Sequence, residues 1–265
     1  VAVDVWACTG SSNPFHLTVV GNQLYFDAYV PGVGRELHVS DGTQAGTALV
    51  ADLTPGGGGT GAFQRFAPFG NKLLFAANAG SGVEPYVSDG TAAGTYLLAD
   101  LEPGSGSSSP KDFTAFGALA VFSATVVGAG RELYVTDGTA LGTSSLGDFA
   151  PGASSSNPED FVPWNGAVLF SMVTASGREL WSTDGTAAGT FEVKDVWPGS
   201  FSAVVDQLEV VGGEVWFSAF DGVHGNELWR TDGTTAGTSL IADFRPGGQG
   251  LGAVGVTALL HKGRI

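Results

Sequence analysis

Apolar residues arrive along this chain in short bursts. Runs of β-branched and aromatic residues, such as Phe15 to Val20 and Leu24 to Ala28, alternate with clusters of Gly, Asp, Asn and Pro. The punctuation falls every ~8–12 residues, the pattern of short strands joined by tight turns. No segment sustains a helical period over ~10 residues. The hydropathy pattern alone therefore predicts an all-β chain.

Superimposed on the bursts is a longer period. Five segments read GRELHVSDGTQAGT, GVEPYVSDGTAAGT, GRELYVTDGTALGT, GRELWSTDGTAAGT and GNELWRTDGTTAGT. Their DGT aspartates are Asp41, Asp89, Asp137, Asp184 and Asp232, spaced 48, 48, 47 and 48 residues apart. A glutamate stands five residues before each (Glu36, Glu84, Glu132, Glu179, Glu227) and a second aspartate eleven residues after (Asp52, Asp100, Asp148, Asp195, Asp243). Pro-Gly follows three residues later. Each unit reads as four strands: Phe15 to Val20, Leu24 to Ala28, the Glu-Leu-aromatic segment, and the run from Ala48 to Asp52, with their counterparts.

Four antiparallel strands per unit, at a period in the forties, predict a β-propeller more readily than a sandwich or solenoid. A four-stranded sheet has two apolar faces to cover, and a ring gives every blade a neighbour on both sides. The units are approximately 7–54, 55–102, 103–150, 151–197 and 198–245 of one propeller domain over 1–265, with a partial unit 246–265 completed by strand 1–6. Val1 to Trp6 matches a fourth strand and Val256 to Leu260 a first strand. Filling the missing second and third strands would bring the chain to the length of six repeats. The expectation is six blades, the sixth incomplete and continued beyond Ile265; the alternative is a five-bladed ring with surplus terminal strands. A start at Val1 suits a processed chain.

The repeated residues admit structural and functional readings. Asp followed by Gly between strands is a hairpin signal, with Asp bonding its own downstream backbone and Gly taking positive φ. Calcium is the functional alternative, but a calcium loop gathers several carboxylates within a dozen residues, and each DGT loop has one in its turn. Asp41, Asp89, Asp137, Asp184 and Asp232 are therefore read as turn formers, with no cofactor expected beyond calcium as that alternative. The second aspartates are read as caps of the Pro-Gly loops. Neighbours on a strand face opposite ways, so the glutamates are expected to pair with Arg35, Arg131 and Arg178 across blades; a glutamate ring at one mouth is the alternative. Phe26, Phe75, Phe122, Phe170 and Phe217 read as core between blades, as do Tyr86, Tyr134, Trp181 and Trp229, where the first unit has His38. Trp6 and Trp197, beside the loop after a fourth strand, are the candidates for a sugar-stacking surface, together with Arg35, Arg131 and Arg178.

Composition narrows the partners. With 26 acidic against 11 basic residues the net charge is −15, which opposes nucleic-acid or anionic-lipid binding through clustered Lys and Arg. Charged residues are 14% and apolar residues 43%, so this is no disordered acidic tail. No apolar run approaches the length of a membrane span. Cys8 is the only cysteine, excluding an internal disulfide and any cysteine zinc cluster. The four histidines share no spacing, and HExxH, GxSxG and P-loop motifs are lacking. Gly56 to Gly61 spells GxGxxG, but with no helix following it fails as a dinucleotide fingerprint.

The string Glu-Leu-Trp-x-Thr-Asp-Gly-Thr-x-x-Gly-Thr, closest at Glu179–Thr190 and Glu227–Thr238, resembles the ELWxxDGT repeat family of large bacterial secreted or surface proteins. Glu84-Pro85-Tyr86 and His38 depart from it. The resemblance implies a propeller-like repeat fold and an extracellular address, and carries no catalytic residues. The expected function is a non-enzymatic extracellular binding or adhesion module, for a glycan or protein at the cell surface. The alternative is an assembly subunit that oligomerises by strand complementation through the incomplete blade. A propeller-fold polysaccharide enzyme is the third reading, with Asp221 to Glu227 as the least repeat-like segment.

Overall fold

Second strands carry the densest apolar runs, and burial explains why. In a computed structural model, which describes residue 5 and residues 10–55, 63–244 and 246, each second strand is central in its sheet; in the first four sheets it has consecutive buried residues, while in the fifth buried and half-buried positions alternate. A strand covered on both faces selects apolar residues without alternation. The described residues contain strands and turns but no helix.

The described strands form five antiparallel four-stranded sheets, each ordered as in the sequence. The first comprises β1 (Phe15–Val20), β2 (Gln23–Val30), β3 (Gly34–Ser40) and β4 (Ala48–Ala51). The second has β5 (Gln64–Phe69), β6 (Lys72–Asn78), β7 (Val83–Ser88) and β8 (Tyr96–Leu97). The third has β9 (Lys111–Phe116), β10 (Leu119–Val126), β11 (Gly130–Thr136) and β12 (Ser144–Ser145). The fourth has β13 (Glu159–Trp164), β14 (Ala167–Thr174), β15 (Gly177–Thr183) and β16 (Phe191–Lys194). The fifth has β17 (Asp206–Val211), β18 (Glu214–Phe220), β19 (Asn226–Thr231) and β20 (Ser239–Ala242). The first and second strands meet at tight turns. Asn165-Gly166 and Gly212-Gly213 hold positive φ at both central residues, the geometry that matches strand twist in a two-residue hairpin.

Two compact units result. One runs to Val127 and takes in Tyr134–Ser144; the other comprises Gly128–Leu133 and the chain from Ser145. In the first unit β1 lies beside β5 and β5 beside β9; in the second, β13 lies beside β17.

The cores are built on the repeated aromatics. Phe75, Phe122, Phe170 and Phe217 are fully buried. Phe26 faces His38 across the ladder, Phe75 faces Tyr86, Phe170 faces Trp181 and Phe217 faces Trp229. Phe26–His38 and Phe122–Tyr134 are stacked at 5.6 and 5.5 Å. Such pairs contribute about 0.5–1.5 kcal/mol beyond the area they bury.

Trp6, Cys8, the first and last strands of the repeat arithmetic, and the Gly56–Gly61 loop lie outside the described residues, apart from residue 5 and residue 246.

Candidate functional site: the first-strand bulges

Most of the repeated polar residues are spent on the scaffold. In each DGT loop the aspartate Oδ1 accepts from the N–H and hydroxyl of the threonine two residues on, at 2.9 and 2.7 Å for Asp41 and Thr43. That threonine oxygen accepts from the next glycine N–H, 2.9 Å from Gly46. The following threonine hydroxyl bonds to Thr43 O and to Ser40, at 2.7 and 2.6 Å. Asp89, Asp137, Asp184 and Asp232 repeat this geometry. These bonds favour the ionised carboxylate and hold all five aspartates below the usual range. The loop also explains its second glycine: a Cβ on Gly46 would stand 2.1 Å from the Asp41 carboxyl carbon.

The repeated glutamates have a role that the pattern did not reveal. All five are buried. Glu132 accepts from Phe149 N at 3.1 Å, 17 residues on, and from Ser156 N at 3.0 Å, 24 residues on. Glu179 does the same with Val196 N at 2.6 Å and Ala203 N at 3.0 Å. Glu36 takes Leu53 N, Thr54 N and the Thr54 hydroxyl. The expected pairing of these glutamates with arginines is therefore corrected: their carboxylates tie down backbone N–H groups, which would otherwise be buried without partners. Second aspartates cap the following loop, as Asp148 does with Gly152 N at 3.2 Å and Asp195 with Gly199 N at 3.3 Å.

The side chains of Arg35 and Arg178 find their acidic partners within their own sheets. Arg35 Nη1 is 2.6 Å from Asp27 Oδ2, and its guanidinium carbon sits 5.1 Å from the centre of the Phe15 ring. Arg178 reaches Glu159 Oε1 and Ser171 Oγ, both at 2.9 Å, and Asn157 O at 3.1 Å. The Arg131 backbone reaches the segment before the next sheet, its N–H donating to Ser155 Oγ at 2.9 Å and its carbonyl accepting from Asn157 N at 3.2 Å. Trp197 is half-buried, stacked on Phe201 at 4.7 Å and tilted against Phe220 at 4.8 Å. In the Asp221 to Glu227 segment, His224 Nδ1 lies 2.6 Å from Asp221 Oδ2, whose other oxygen caps Val223 N and His224 N. That bond raises the His224 pKa.

One set of positions is repeated in backbone but not in side chain. The ladder between first and second strand slips in all five sheets, between Phe15 and Thr18, Gln64 and Ala67, Glu159 and Val162, Asp206 and Glu209, and beside β9 at Val121 and Ser123. Within or opposite each slip a non-glycine residue holds left-handed φ: His16 (53°), Arg65 (58°), Asp112 (61°), Asp160 (58°) and Gln207 (58°). Three residues earlier Asn13, Ser109, Asn157 and Val204 are also left-handed. Non-glycine residues there cost about 1–3 kcal/mol each and persist only where surroundings fix them. The glutamate tethers supply that fixing at Ser108 and Ser156, each adjacent to a left-handed residue.

The bulge side chains are of four kinds: histidine, arginine, aspartate twice and glutamine. His16 and Arg65 stand on β1 and β5. Asp112 lies 3.5 Å from Lys111. Asp160 is half-buried, and burial, the Asp206 and Glu159 charges and a hydrogen bond with Asp206 push its pKa up to about 6. No single residue type marks these positions along the sequence, since only aspartate recurs, at Asp112 and Asp160. The available signal was positional: each lies ten residues before the repeated phenylalanine.

Comparison with known proteins gives the fold a context. No family model matches the chain, and no curated protein matches it. Among solved structures it is similar to a prolyl endopeptidase, with TM-score 0.50 and 14% identity over 83% of this chain and 33% of that one. Prolyl oligopeptidase B from Galerina marginata gives TM-score 0.50 and 10% identity over 86% and 34%. TolB from Acinetobacter baumannii gives 0.40 and 13% over 76% and 47%. The chain thus spans about a third of the length of the peptidases it matches, within their propeller region. What the two peptidase likenesses share with this chain is a propeller-type, all-β repeat fold.

Proposed function

We propose that the chain is a non-enzymatic extracellular binding module that meets a glycan or surface protein through the unlike side chains mounted at its first-strand bulges. One observation carries the reading. Five equivalent backbone positions hold the same left-handed conformation while bearing imidazole, guanidinium, carboxylate, carboxylate and carboxamide in turn. The DGT threonines, the glutamates and the core aromatics are already committed to folding. The bulge positions instead carry differing side chains at a backbone conformation that strains any non-glycine residue, which supports a role for those side chains outside the scaffold. The extracellular address rests on the ELWxxDGT resemblance, and the blade count that accompanies the reading is six, from the repeat spacing. Glycan-array screening of the full chain, with and without calcium, tests it. The reading expects a restricted set of binders that loses affinity when bulge residues are changed. Silence on glycans together with no captured surface protein would count against it.

A second reading, assembly through strand complementation, draws on β1. Phe15, Leu17 and Val19 are 57%, 62% and 63% exposed, an apolar strip that a second chain could cover. Light scattering separates the two, since a strict monomer excludes assembly.

A further inference from the structure

Two of the bulges stand side by side within one unit and shape a groove. Between β1 and β5 lies a cavity of about 540 Å³ lined by His16, Leu17, Thr18, Gln64, Arg65 and Phe66, within the usual size range of small-ligand sites. Arg65 is exposed and, among the described residues, its guanidinium has no hydrogen bond or ion pair. Arg35 and Arg178, by contrast, are held by acids. A guanidinium offers a planar fork of donors that fits a carboxylate in a bidentate manner.

The remaining lining suits the same ligand. His16 Nδ1 is 2.6 Å from Asp27 Oδ1. An ionised carboxylate can only accept, so the hydrogen sits on Nδ1 and Nε2 is left for a ligand. The imidazole is braced by the Phe66 ring at 5.4 Å. Asp27 is buried and its other oxygen is taken by Arg35 at 2.6 Å, so this acid opposes an incoming anion little. Thr18 and Gln64 add neutral hydrogen-bonding groups, and Leu17 adds an apolar wall. Hydroxyls, one carboxylate and a flat apolar face on one small ring describe a sugar acid. An acidic peptide fits less well, because an extended peptide needs a regular ladder to add to, and the bulges at His16 and Arg65 interrupt it.

We infer that the β1–β5 groove binds a carboxylate-bearing saccharide, with Arg65 as the carboxylate fork and His16 beside it. This rests on the binding-module reading above and names the ligand class of one of its sites.

Titration calorimetry on the full chain tests it, using trigalacturonate, its neutral counterpart galactotriose, and a polyglutamate peptide. Trigalacturonate should bind at least about tenfold more tightly than galactotriose, and more weakly as salt is added. Arg65→Ala should lose about tenfold in affinity, with Arg65→Lys in between. Since Arg65 is exposed and, among the described residues, its guanidinium has no bond, the urea midpoint of Arg65→Ala should match the wild type. Equal binding of the neutral sugar, an unaffected Arg65→Ala, or a preference for polyglutamate overturns the assignment. If trigalacturonate fails while an array ligand is lost in Asp160→Asn, the groove assignment falls and the module reading stands. If no array ligand responds to any bulge variant, both fall.

Discussion

Glu84 accepts two hydrogen bonds from Ser108, one from its N–H at 2.8 Å and one from its hydroxyl at 2.5 Å. Ser108 lies 24 residues downstream, just before β9, so one buried carboxylate fixes where the next sheet begins. Glu84 also takes Leu101 N at 3.1 Å. Replacing it by alanine would strand these donors in the interior. Glu84→Ala should cost about 3 kcal/mol or more, and Glu84→Gln about half of that, because one oxygen remains to accept. Urea unfolding of the two variants measures both.

Stability should fall as pH rises from the acid range toward neutrality. Burial, then the nearby Asp195 and Glu192 charges, push Glu179 up to about 7, against the bonds from Val196 and Ala203. Asp160 is pushed up to about 6, and His224 is raised by Asp221. A group whose folded pKa is raised gives stability that is full below its unfolded pKa and lost as pH climbs through the folded one. For the two acids that window runs from ~4 to about 7. The DGT aspartates act in the opposite sense, since their lowered pKa values cost stability as pH falls below ~4. The urea midpoint should therefore peak near pH ~4–5 and decline toward pH ~7. Glu179→Gln should flatten that decline, whatever it does to the absolute midpoint.

The second glycine of the DGT loop should resist any side chain. A Cβ on Gly94 would lie 2.0 Å from Asp89 Oδ1, which is itself fixed by Thr91. Gly94→Ala should cost about 1–3 kcal/mol by forcing the loop apart. Gly104→Ala serves as the comparison for positive φ alone, since no atom lies within 4 Å of its Cβ position. Differential scanning calorimetry of the pair separates crowding from backbone strain.

Trp197 gives an optical readout of its own packing. A Cβ on Gly222, where φ is +79°, would stand 2.5 Å from Trp197 Nε1. Gly222→Ala should displace the indole from its contacts with Phe201 and Phe220 and shift to longer wavelength the part of the emission that Trp197→Phe removes. It should also lower stability by about 1–3 kcal/mol. An unchanged spectrum would mean that Trp197 is not seated against Gly222.

Legibility in the sequence followed the kind of contact each residue makes. The four strands of each sheet could be read because turn glycines and apolar runs act locally; β1 spans the same Phe15–Val20 that the pattern marked. The outer strands were harder, and β8 and β12 shrink to two residues each, since an edge strand is held on one side only. The glutamate tether was hidden because its partners are main-chain N–H groups 17 and 24 residues away, which leave little trace in residue identity. Arg35 and Arg178 looked available for a ligand because Asp27 and Glu159, the acids that hold them, belong to no repeated motif. The bulge positions were hidden for the opposite reason: the fold specifies their φ and leaves their chemistry open. Their fixed distance of ten residues from the repeated phenylalanine is the one trace they leave in the sequence.

The most direct test of the binding account is a glycan-array profile of the full chain beside a variant with His16, Arg65, Asp112, Asp160 and Gln207 all changed to glycine. Glycine adopts left-handed φ without strain, so the variant should keep its circular dichroism spectrum and its sheets. The account predicts that the native chain binds a narrow set of glycans including uronic-acid oligomers, and that the glycine variant binds none of them. Retention of the same profile by the glycine variant would contradict it.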